Sequence, residues 1–577
     1  MSDLETISPT TAGEYDVAIM GGGLAGLTLA LQLKKARPTI KILVVEKQKH
    51  PVPEAAHKVG ESTVEIAAKY FLDLGLQEHL QTEQLRKFGL RFFFKTEDNK
   101  DITRRMEIGL AKPTFLPSFQ LDRGRLENAL GQKVQEEGIT FLDECKVEQL
   151  TLAQESTEQG IHHLRIRQNK QELDVQAGWV VDATGRSSVI KRQLGLVKDN
   201  GHNVNAVWFR VARRLAVDEW SQDPVWKGRV VDGSRYLSTV HMCGDGYWVW
   251  LIPLASGSTS VGIVTDAELH PFNTINLFER AMTWLHEHEP QVAEQVELYR
   301  DEIQDFRVLK NYSYSARQVY SSNHWCLTGE AGVFLDPLYS PGSDFIAMSN
   351  TLITDLITRN LAGEDIRERA RTYNLIYLNI ATSSTKIYEN QYPLLGNTQV
   401  FVAKYIWDSA TYWGNFSQLF YHDKMCSLND NRRLVLSLQR SAQVDTRIQA
   451  FFREWAAIDN PIVTHAWVDH YNPLEFMKHF HASLEATFTD EEFDASFAEN
   501  IRLTESIAGC MVKKVIDAYA AFTGNEAVEA QVRRWQADRL LAELITVNQE
   551  DAQSFPINDE WVYVAPQRQP EAVGSLA

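Results

Sequence analysis

The sequence lacks long apolar runs and paired cysteines. No uninterrupted run of about 18 apolar residues occurs, so no membrane-spanning helix is predicted. The first residues are polar and acidic, with neither a positive start nor a hydrophobic middle, so we predict no secretory signal and expect a cytoplasmic location. The five cysteines are scattered and never spaced as Cys-x-x-Cys, which predicts neither a disulfide framework nor a zinc or other metal site.

Positive charge is also scarce. The 577 residues include 58 Lys and Arg against 76 Asp and Glu, a formal net charge of −18. A surface of this sign repels phosphate backbones and anionic lipid, and no basic patch is visible in the sequence, so we expect no nucleic-acid partner. With 44% hydrophobic residues the chain can bury a sizeable core, and its length predicts two or three domains.

The pattern near the N-terminus predicts a βαβ unit. Residues 15–21 form a short apolar run typical of a buried strand, 24–35 have the pattern of a helix, and 40–46 form a second strand. Apolar runs at 179–183 and 325–328 end in glycine-containing turns, as strands of a nucleotide-binding sheet do. These elements predict an α/β fold.

The rest of the chain divides by composition. Residues 204–265 are rich in Val, Trp, Tyr and Thr with period-two stretches, which indicates an antiparallel sheet, and the last third is helical and aromatic. The aromatic helices either form a lid over a substrate tunnel or pack on one another as core. The predicted segments are a flexible leader at 1–14, a cofactor-binding core at 15–362 with an inserted substrate sheet at 204–300, and a mostly helical domain at 363–577.

A glycine-rich turn follows the first predicted strand. Gly21, Gly23 and Gly26 fit the pattern Gly-x-Gly-x-x-Gly, and Glu46 ends the next strand about 20 residues later. Gly21 permits the tight turn, Gly23 lets the backbone approach a pyrophosphate at the positive end of the helix, and Gly26 brings helix and strand together. Glu46 can accept hydrogen bonds from ribose hydroxyls. Glycine-rich turns alone are common. Here the turn lies between a predicted strand and a predicted helix, and Glu46 follows at the expected distance, so the combination predicts a dinucleotide site.

Two further segments favour FAD over NAD. VDATGR at 181–186 resembles the second nucleotide motif of the glutathione-reductase-like flavoproteins of the hydroxylase type, and DRG at 122–124 resembles their flavin-contacting arginine segment. The resemblance implies a glutathione-reductase-like FAD-binding fold. The sequence has no second glycine fingerprint for a nicotinamide cofactor, which suggests that a separate reductase supplies reduced FAD, although hydroxylases of this type also lack a nicotinamide domain.

A tryptophan-rich strand lies in the predicted antiparallel sheet. In WVWLIP at 248–253, the period of a strand places Trp248, Trp250 and Ile252 on one face and Val249 and Leu251 on the other. Periodicity alone favours a sheet core, because aromatic stripes at strand spacing usually belong to one.

Three motifs together resemble the flavin-dependent halogenases. They are WVWLIP, the pattern Phe334-x-x-Pro337-x-x-Ser340-x-Gly342, and VGESTV at 59–64, and the similarity extends over most of residues 15–360. The resemblance implies a halogenase that uses reduced FAD, O2 and chloride or bromide on an electron-rich aromatic ring.

The family resemblance also implies a mechanism. The tryptophan motif is thought to keep substrate away from the flavin, so that halide attacks the flavin C4a-hydroperoxide and hypohalous acid then travels to a lysine. Alignment of RKFGLRF with the family implies that this lysine is Lys87, and Trp248, Trp250 and Ser340 complete the implied catalytic set.

Lys87 has an ordinary interpretation as well. A single lysine is usually a solvated surface charge. If it is catalytic, its ammonium can polarise hypohalous acid, or it can form a haloamine where burial removes the proton. Lys58 and Lys95 are alternatives nearby, although Lys58 is close to the Gly60 flavin loop.

The resemblance further implies which residues contact FAD. They come from the glycine turn and the strand after it, the VGESTV stretch, the arginine segment, the second nucleotide motif and the turn around the serine. The implied set is Gly21, Gly23, Leu24, Ala25, Gly26, Glu46, Lys47, Gly60, Glu61, Ser62, Arg123, Asp182, Gly185, Gly329, Glu330, Pro337 and Gly342.

The sequence departs from the family at three positions. Tyr339 stands where tryptophan halogenases carry a glutamate thought to assist ring deprotonation, which favours a phenol- or pyrrole-type enzyme over one acting on free tryptophan. Pro341 has no N–H to donate, although the family binds halide partly through backbone N–H groups after the serine. Gly342 and Ser343, at the predicted start of a helix, would supply the donors instead. Glu330 replaces the usual aspartate.

Two other functions stay open. A flavin monooxygenase or dehydrogenase would let substrate meet the flavin directly, which Pro341 supports and the tryptophan wall opposes. A non-catalytic FAD-binding module would present the helical region to a partner. For the halogenase, the expected partners are a small aromatic substrate, free, acylated or carrier-bound, and a separate flavin reductase.

Overall fold

Two eight-stranded sheets organise the part of the chain that the structure describes. The computed structural model describes residues 10–55, 58–153, 160–168, 171–459, 467–522, 524–551, 557 and 559–564. The strands are β1 (Thr10–Met20), β2 (Ile42–Val45), β3 (Leu85–Arg86), β4 (Leu90–Phe94), β5 (Glu107–Gly109), β6 (Phe119–Gln120), β7 (Thr140–Leu142), β8 (Cys145–Thr151), β9 (His162–Gln168), β10 (Gln171–Asp182), β11 (Val197–Lys198), β12 (Val204–Val211), β13 (Thr239–Gly244), β14 (Tyr247–Pro253), β15 (Thr259–Asp266), β16 (Arg307–Leu309), β17 (Ser315–Ala316), β18 (Tyr320–Ser321), β19 (Trp325–Leu327) and β20 (Trp467–Asp469).

Helices cover the first sheet and make up most of the C-terminal region. A π-helical turn, Tyr412–Phe416, lies between two of them. The α-helices are α1 (Leu24–Ala36), α2 (Glu65–Asp73), α3 (Gln77–Glu83), α4 (Arg123–Glu136), α5 (Val189–Gln193), α6 (Pro224–Gly228), α7 (Phe278–His288), α8 (Pro290–Glu297), α9 (Gly342–Leu361), α10 (Arg367–Lys386), α11 (Thr398–Thr411), α12 (Ser417–Tyr421), α13 (Arg432–Ile458), α14 (Glu475–Leu484), α15 (Asp490–Ala520), α16 (Glu526–Ala537) and α17 (Arg539–Asp551). In the described residues, none of these helices is both long and apolar enough to cross a lipid bilayer.

The first sheet has the order β18-β19-β10-β1-β2-β7, and its central strands are parallel. Its other two strands branch from this path, since β9 pairs antiparallel with β10 and β8 pairs antiparallel with β9. The β1–α1–β2 unit confirms the predicted βαβ element. Strands buried on both faces are continuously apolar rather than alternating, as the C-terminal segment of β1, residues 17–20, is. The predicted α/β class is therefore confirmed.

The predicted leader is too long at its C-terminal end. Backbone pairing between β1 and β10 begins at Thr10, opposite Leu173, so residues 10–14 belong to the sheet. Pairing with a strand distant in sequence has no signal in the leader itself. The rest of the predicted leader, residues 1–9, lies outside the described residues.

The second sheet has the order β16-β12-β15-β14-β13-β4-β5-β20. The strands from β12 to β15 lie within the predicted range of 204–300 and pair antiparallel. The sheet extends further than predicted, because β4 joins β13 in parallel and the C-terminal strand β20 joins β5 in parallel. All five residues of β4 are buried, so its sequence shows no alternation that would assign it to this sheet.

The two faces of β14 pack as predicted. Trp248, Trp250 and Ile252 join a core shared with the C-terminal helices. Val249 and Leu251 join the core on the opposite face. The tryptophan face of this strand is therefore turned towards the helical region.

A buried ion pair ties the second sheet to the helices behind it. Nη2 of Arg105 donates to Oε1 of Glu289 at 2.9 Å, and both side chains are almost wholly buried. We expect Glu289→Ala to lower the free energy of unfolding by about 3–5 kcal/mol, because it leaves a buried guanidinium unpaired. Urea unfolding followed by tryptophan fluorescence measures the loss. Glu279→Ala, which breaks the exposed pair with Arg300, is the control and should change stability little; equal losses would contradict the prediction.

Candidate active site

A cavity of about 510 Å³ opens where β1 and β2 end, beside the N-terminus of α1. We call it the dinucleotide cavity. It brings together ten residues of the predicted cofactor set: Gly21, Gly23, Leu24, Ala25, Glu46, Lys47, Arg123, Gly185, Gly329 and Glu330.

The glycine turn has the geometry that its sequence predicts. Gly21 has a φ of +111°, and a Cβ atom there would lie 2.3 Å from the carbonyl oxygen of Ala183. A Cβ atom on Gly26 would lie 2.0 Å from the carbonyl oxygen of Gly21, so Gly26 allows the close packing of α1 on β1 without lining the cavity itself. Oε2 of Glu46 accepts the N–H of Gly22 at 2.7 Å, so this acid also braces the turn.

The cavity fits a cofactor that carries a pyrophosphate. Gly23 is the N-cap of α1 and provides no side-chain cap, and a Cβ atom on it would meet only Nζ of Lys58, at 3.9 Å. The first N–H groups of the helix have no acceptor within it, and Gly23, Leu24 and Ala25 line the cavity, which favours an anion there. Nε of Arg123 is buried and has no hydrogen-bond partner among the described residues. Such an unsatisfied donor at a cavity is typical of a ligand site.

Asp182 does not line the cavity but stabilises a turn beside it. Its side chain is fully buried and accepts the N–H groups of Thr184 at 3.0 Å and of Ile190 at 2.8 Å. These bonds shape the turn that brings Gly185 to the cavity. The structure does not bring the side chain of Asp182, predicted to contact the cofactor, to the cavity surface, because this side chain is fully buried behind the turn.

A second cavity, of about 110 Å³, adjoins the first and is bounded by the tryptophan face of β14. We call it the tryptophan cavity. Arg123, Gly329 and Glu330 line both cavities. The other predicted residues that line it are Gly60, Glu61, Ser62, Trp248, Trp250, Pro337, Ser340, Gly342 and Ser343.

Glu61 and Ser62, predicted to contact the cofactor, form side-chain hydrogen bonds with residues that the sequence did not indicate. The carboxylate of Glu61 accepts from Nε of Arg210 at 2.9 Å and from its Nη2 at 2.6 Å. The hydroxyl of Ser62 is hydrogen-bonded to that of Thr239 at 2.8 Å. Both side chains are therefore engaged by the protein and hold the segment 60–62 against the second sheet.

A chain of hydrogen bonds fixes one tryptophan of the wall. Nε1 of Trp248 donates to the hydroxyl of Tyr392 at 2.9 Å, and this hydroxyl donates to Oδ2 of Asp336 at 2.6 Å. His202 lies 2.6 Å from the same oxygen. Because Asp336 belongs to the turn that precedes Ser340, the indole is coupled to that turn and to the C-terminal region.

The turn at 339–343 leads into α9. Tyr339 and Ser340 have φ values of +70° and +63°, a conformation rare for residues with a side chain, and the N–H of Ser340 donates to the carbonyl of Pro337. Pro341 is the N-cap of α9. The N–H groups of Gly342 and Ser343 open the helix and have no acceptor within it.

A third cavity, of about 130 Å³, shares Pro341 and Phe345 with the tryptophan cavity. We call it the lysine chamber. The π-helical turn contributes to its lining, and such turns are frequent at functional sites. Besides Lys87, its polar and aromatic lining includes Glu65, Tyr339, Asp344, Tyr388, Tyr405, Asp408, Tyr412, Trp413, Phe416 and His470.

Lys87 is buried in this chamber, with a relative exposure of 5%. Its Nζ donates to the carbonyl oxygen of Thr63 at 2.8 Å, so the VGESTV stretch holds the amine. Burial lowers the pKa of Lys87 to about 7, although the charges of Glu65 and Asp344 oppose this effect. The interpretation of Lys87 as a solvated surface lysine is therefore wrong.

The alternative lysines lie elsewhere. Lys58 lines the dinucleotide cavity and forms an ion pair with Glu127. Lys95 forms an ion pair with Asp245 and lines none of the three cavities.

The acids of the lysine chamber were missed at the level of sequence. Asp344 comes two residues after the quoted motif residue Gly342, and Glu65 directly follows VGESTV, so both stood beside recognised motifs. Asp408 lies in the C-terminal region, which has no motif. In the described residues, no three His, Cys, Asp or Glu side chains are grouped so that they could hold a metal ion.

Gly26→Ala tests the close approach of helix and strand. The new methyl group would overlap the carbonyl oxygen of Gly21, so the turn must open, and we expect FAD affinity to fall at least tenfold. Flavin absorbance retained after gel filtration measures binding. Gly228→Ala is the matched control, since a Cβ atom there meets nothing within 4 Å, and it should bind FAD normally. Normal binding by Gly26→Ala would overturn this account of the turn.

Comparisons with known proteins agree with this geometry. Residues 14–258 match the family model described as an FAD binding domain. The chain is 26% identical over 427 residues to the flavin-dependent halogenase chlA of Dictyostelium discoideum, covering 69% of each chain. It is 25% identical over 385 residues to a Pseudomonas fluorescens chlorinase of 1H-pyrrole-2-carbonyl-(peptidyl-carrier protein), covering 62% of this chain and 79% of that one.

A solved structure supports the fold. Halogenase PltM in complex with phloroglucinol and FAD superposes with a TM-score of 0.62 at 16% sequence identity, over 84% of this chain and 98% of that chain. The similarity at this identity shows a shared fold, and the halogenase relatives confirm the resemblance that the motifs indicated. The chain is thus an enzyme, an FAD-dependent oxidoreductase similar to the flavin-dependent halogenases.

Proposed function

We propose that the protein halogenates an electron-rich aromatic ring, of the phenol or pyrrole type, with reduced FAD, O2 and chloride or bromide. One observation carries the proposal: the dinucleotide cavity and the lysine chamber share no lining residue, and the tryptophan cavity adjoins both. This arrangement keeps the organic ring apart from the flavin. A monooxygenase needs the opposite, a substrate in contact with the flavin.

The relatives support the type of substrate. Two of them are a chlorinase and a brominase named for a pyrrole-2-carbonyl group on a peptidyl-carrier protein. The aromatic residue at Tyr339 supports the same choice, because an activated ring needs less help than the indole of free tryptophan. We propose a small aromatic substrate that is either free or carried as an acyl group.

The residues that would hold FAD follow from the dinucleotide cavity. The N–H groups at Gly23 and along the first turn of α1 bind the pyrophosphate, and Glu46 accepts from the ribose. Arg123 and Glu330, which line both neighbouring cavities, would flank the flavin. When bound, reduced FAD with O2 supplies the oxidising equivalent that converts halide to hypohalous acid. A separate reductase supplies the reduced form, since the sequence has one glycine fingerprint.

Halide binds at the start of α9 in this proposal. Pro341 offers no N–H, so the donors are the backbone N–H groups of Gly342 and Ser343 at the positive end of a 20-residue helix. Ser340 and Pro337 line the same cavity and hold the turn. The missing donor at Pro341 is thereby offset by the helix itself.

Hypohalous acid passes the tryptophan wall and meets Lys87. Trp248 and Trp250, with ring centroids 5.6 Å apart, exclude the organic ring from the flavin side. Because its pKa is about 7, Lys87 is present as both ammonium and amine at neutral pH, and the ammonium polarises the acid by hydrogen bonding. The C-terminal helices act as the lid, since Tyr388 and Tyr405 close the lysine chamber.

Lys87→Ala tests the relay. We expect halogenated product to fall at least a hundredfold while FAD binding is retained, because only the amine is removed. The assay combines enzyme, FAD, NADH, a flavin reductase and bromide with a panel of phenols, pyrroles and indoles, and mass spectrometry detects the bromine isotope pattern.

Lys95→Ala is the matched control, since it removes an exposed amine outside the three cavities, and its product yield should equal that of the wild type. Full activity of Lys87→Ala would reject the assigned lysine. A wild-type product that gains oxygen without halogen would instead identify a monooxygenase.

A further inference from the structure

Halogenation of an aromatic ring releases a proton, and the lysine chamber must accept it. The Tyr339 phenol cannot act as the base, because burial raises its pKa well above the usual value and keeps it protonated. The carboxylates that line the chamber in the described structure are Glu65, Asp344 and Asp408. The three carboxylates differ in their hydrogen-bond and charged partners, which determine how readily each can accept a proton.

Two of these acids are engaged by charged or multiple partners. Asp408 accepts from Nζ of Lys404 at 2.8 Å, and also from Gln449 and Tyr339. Glu65 lies 3.7 Å from Nε2 of His481, and although burial alone would raise its pKa, His481 brings this pKa below the usual value. Hydrogen-bond donors therefore already occupy both oxygens of Asp408, and the lowered pKa of Glu65 makes that carboxylate a poor proton acceptor.

Asp344 differs from them. Its relative exposure is 2%, and its two hydrogen-bond donors are neutral: the N–H of Ala67 at 2.8 Å and the hydroxyl of Tyr412 at 2.7 Å. These bonds hold the carboxylate still while leaving a lone pair on each oxygen. Burial raises the pKa of Asp344 to about 7, against the effect of both hydrogen bonds. A buried carboxylate of this kind is a much stronger base than an exposed one.

We propose that Asp344 is the catalytic base that takes the ring proton and returns it to Lys87, an inference that rests on the proposed halogenase function. Both residues line the same chamber. Their charges interact, since Asp344 raises the pKa of Lys87 and Lys87 lowers that of Asp344. The pKa of each group is about 7, so transfer of a proton between them would cost little free energy.

The step balances in atoms and electrons. The ring carbon forms a bond to the halogen of hypohalous acid as the halogen–oxygen bond breaks, and the departing hydroxide takes a proton from the Lys87 ammonium and leaves as water. The C–H electron pair then returns to the ring as its proton passes to the Asp344 carboxylate. Transfer of that proton from Asp344 to neutral Lys87 restores both residues. The net reaction converts an aromatic C–H and hypohalous acid into an aromatic C–halogen and water.

Asp344→Asn tests the assignment while keeping the size of the side chain. The amide oxygen can still accept from Ala67, so the fold and FAD binding should be retained. We expect kcat for bromination to fall about 10²- to 10⁴-fold, the usual contribution of a general base. The rate should also become sensitive to ring deuteration, because proton removal becomes limiting; the wild type should show no such isotope effect. The substrate is the first phenol or pyrrole of the panel that the wild type brominates.

Two further variants complete the test. Asp355→Asn removes a carboxylate from the same helix, α9, outside the three cavities, and should keep wild-type kcat and isotope effect. Tyr412→Phe keeps the Asp344 carboxylate but removes its hydroxyl donor. We expect this variant to lower kcat about tenfold and to show a measurable isotope effect. If Asp344→Asn fails to fold, Tyr412→Phe alone tests the role of Asp344. An unchanged kcat and isotope effect in the folded variants would overturn the role of Asp344 alone. Absence of any brominated product from the wild type would overturn the proposed function itself.

Discussion

The desolvation of one amine is the constraint on which the site depends. An ammonium is costly to bury, and Lys87 is buried with a backbone carbonyl, not a carboxylate, as its hydrogen-bond partner. The cost is what brings its pKa to about 7. A carboxylate hydrogen-bonded to the resting amine would keep it charged, whereas the charges of Glu65 and Asp344 raise its pKa without outweighing burial. The chamber must therefore be dry, enclosed and remote from the flavin.

The walls that enclose the site come from parts of the chain that are far apart in sequence. The second sheet contributes the tryptophan wall, α9 contributes the turn, and the C-terminal helices contribute most of the aromatic rings. The bond from Trp248 to Tyr392, and on to Asp336, joins all three. The helical region is thus an integral wall of the site, and the strand β20 anchors it to the sheet through β5.

Local features of the sequence predicted local features of the structure. The glycine turn, the two faces of β14 and the start of α9 near Ser343 each depend on a few neighbouring residues, and the structure contains all of them. The position of Asp182 behind the cavity surface could not be predicted, because its partners, Thr184 and Ile190, become visible only once the turn is formed. The acids of the lysine chamber and the joining of β4, β5 and β20 were missed for a related reason. Contacts between distant segments leave no periodic signal in either partner.

In the proposed function, the lysine chamber would surround a strong halogenating agent with phenols. Tyr339, Tyr388, Tyr405 and Tyr412 all line it, and each ring is chemically similar to the proposed substrate. Burial raises the pKa of all four, so none of them ionises at neutral pH. A neutral phenol is far less nucleophilic than a phenolate. In that function, the same burial that lowers the pKa of the lysine would also protect the enzyme from halogenating itself.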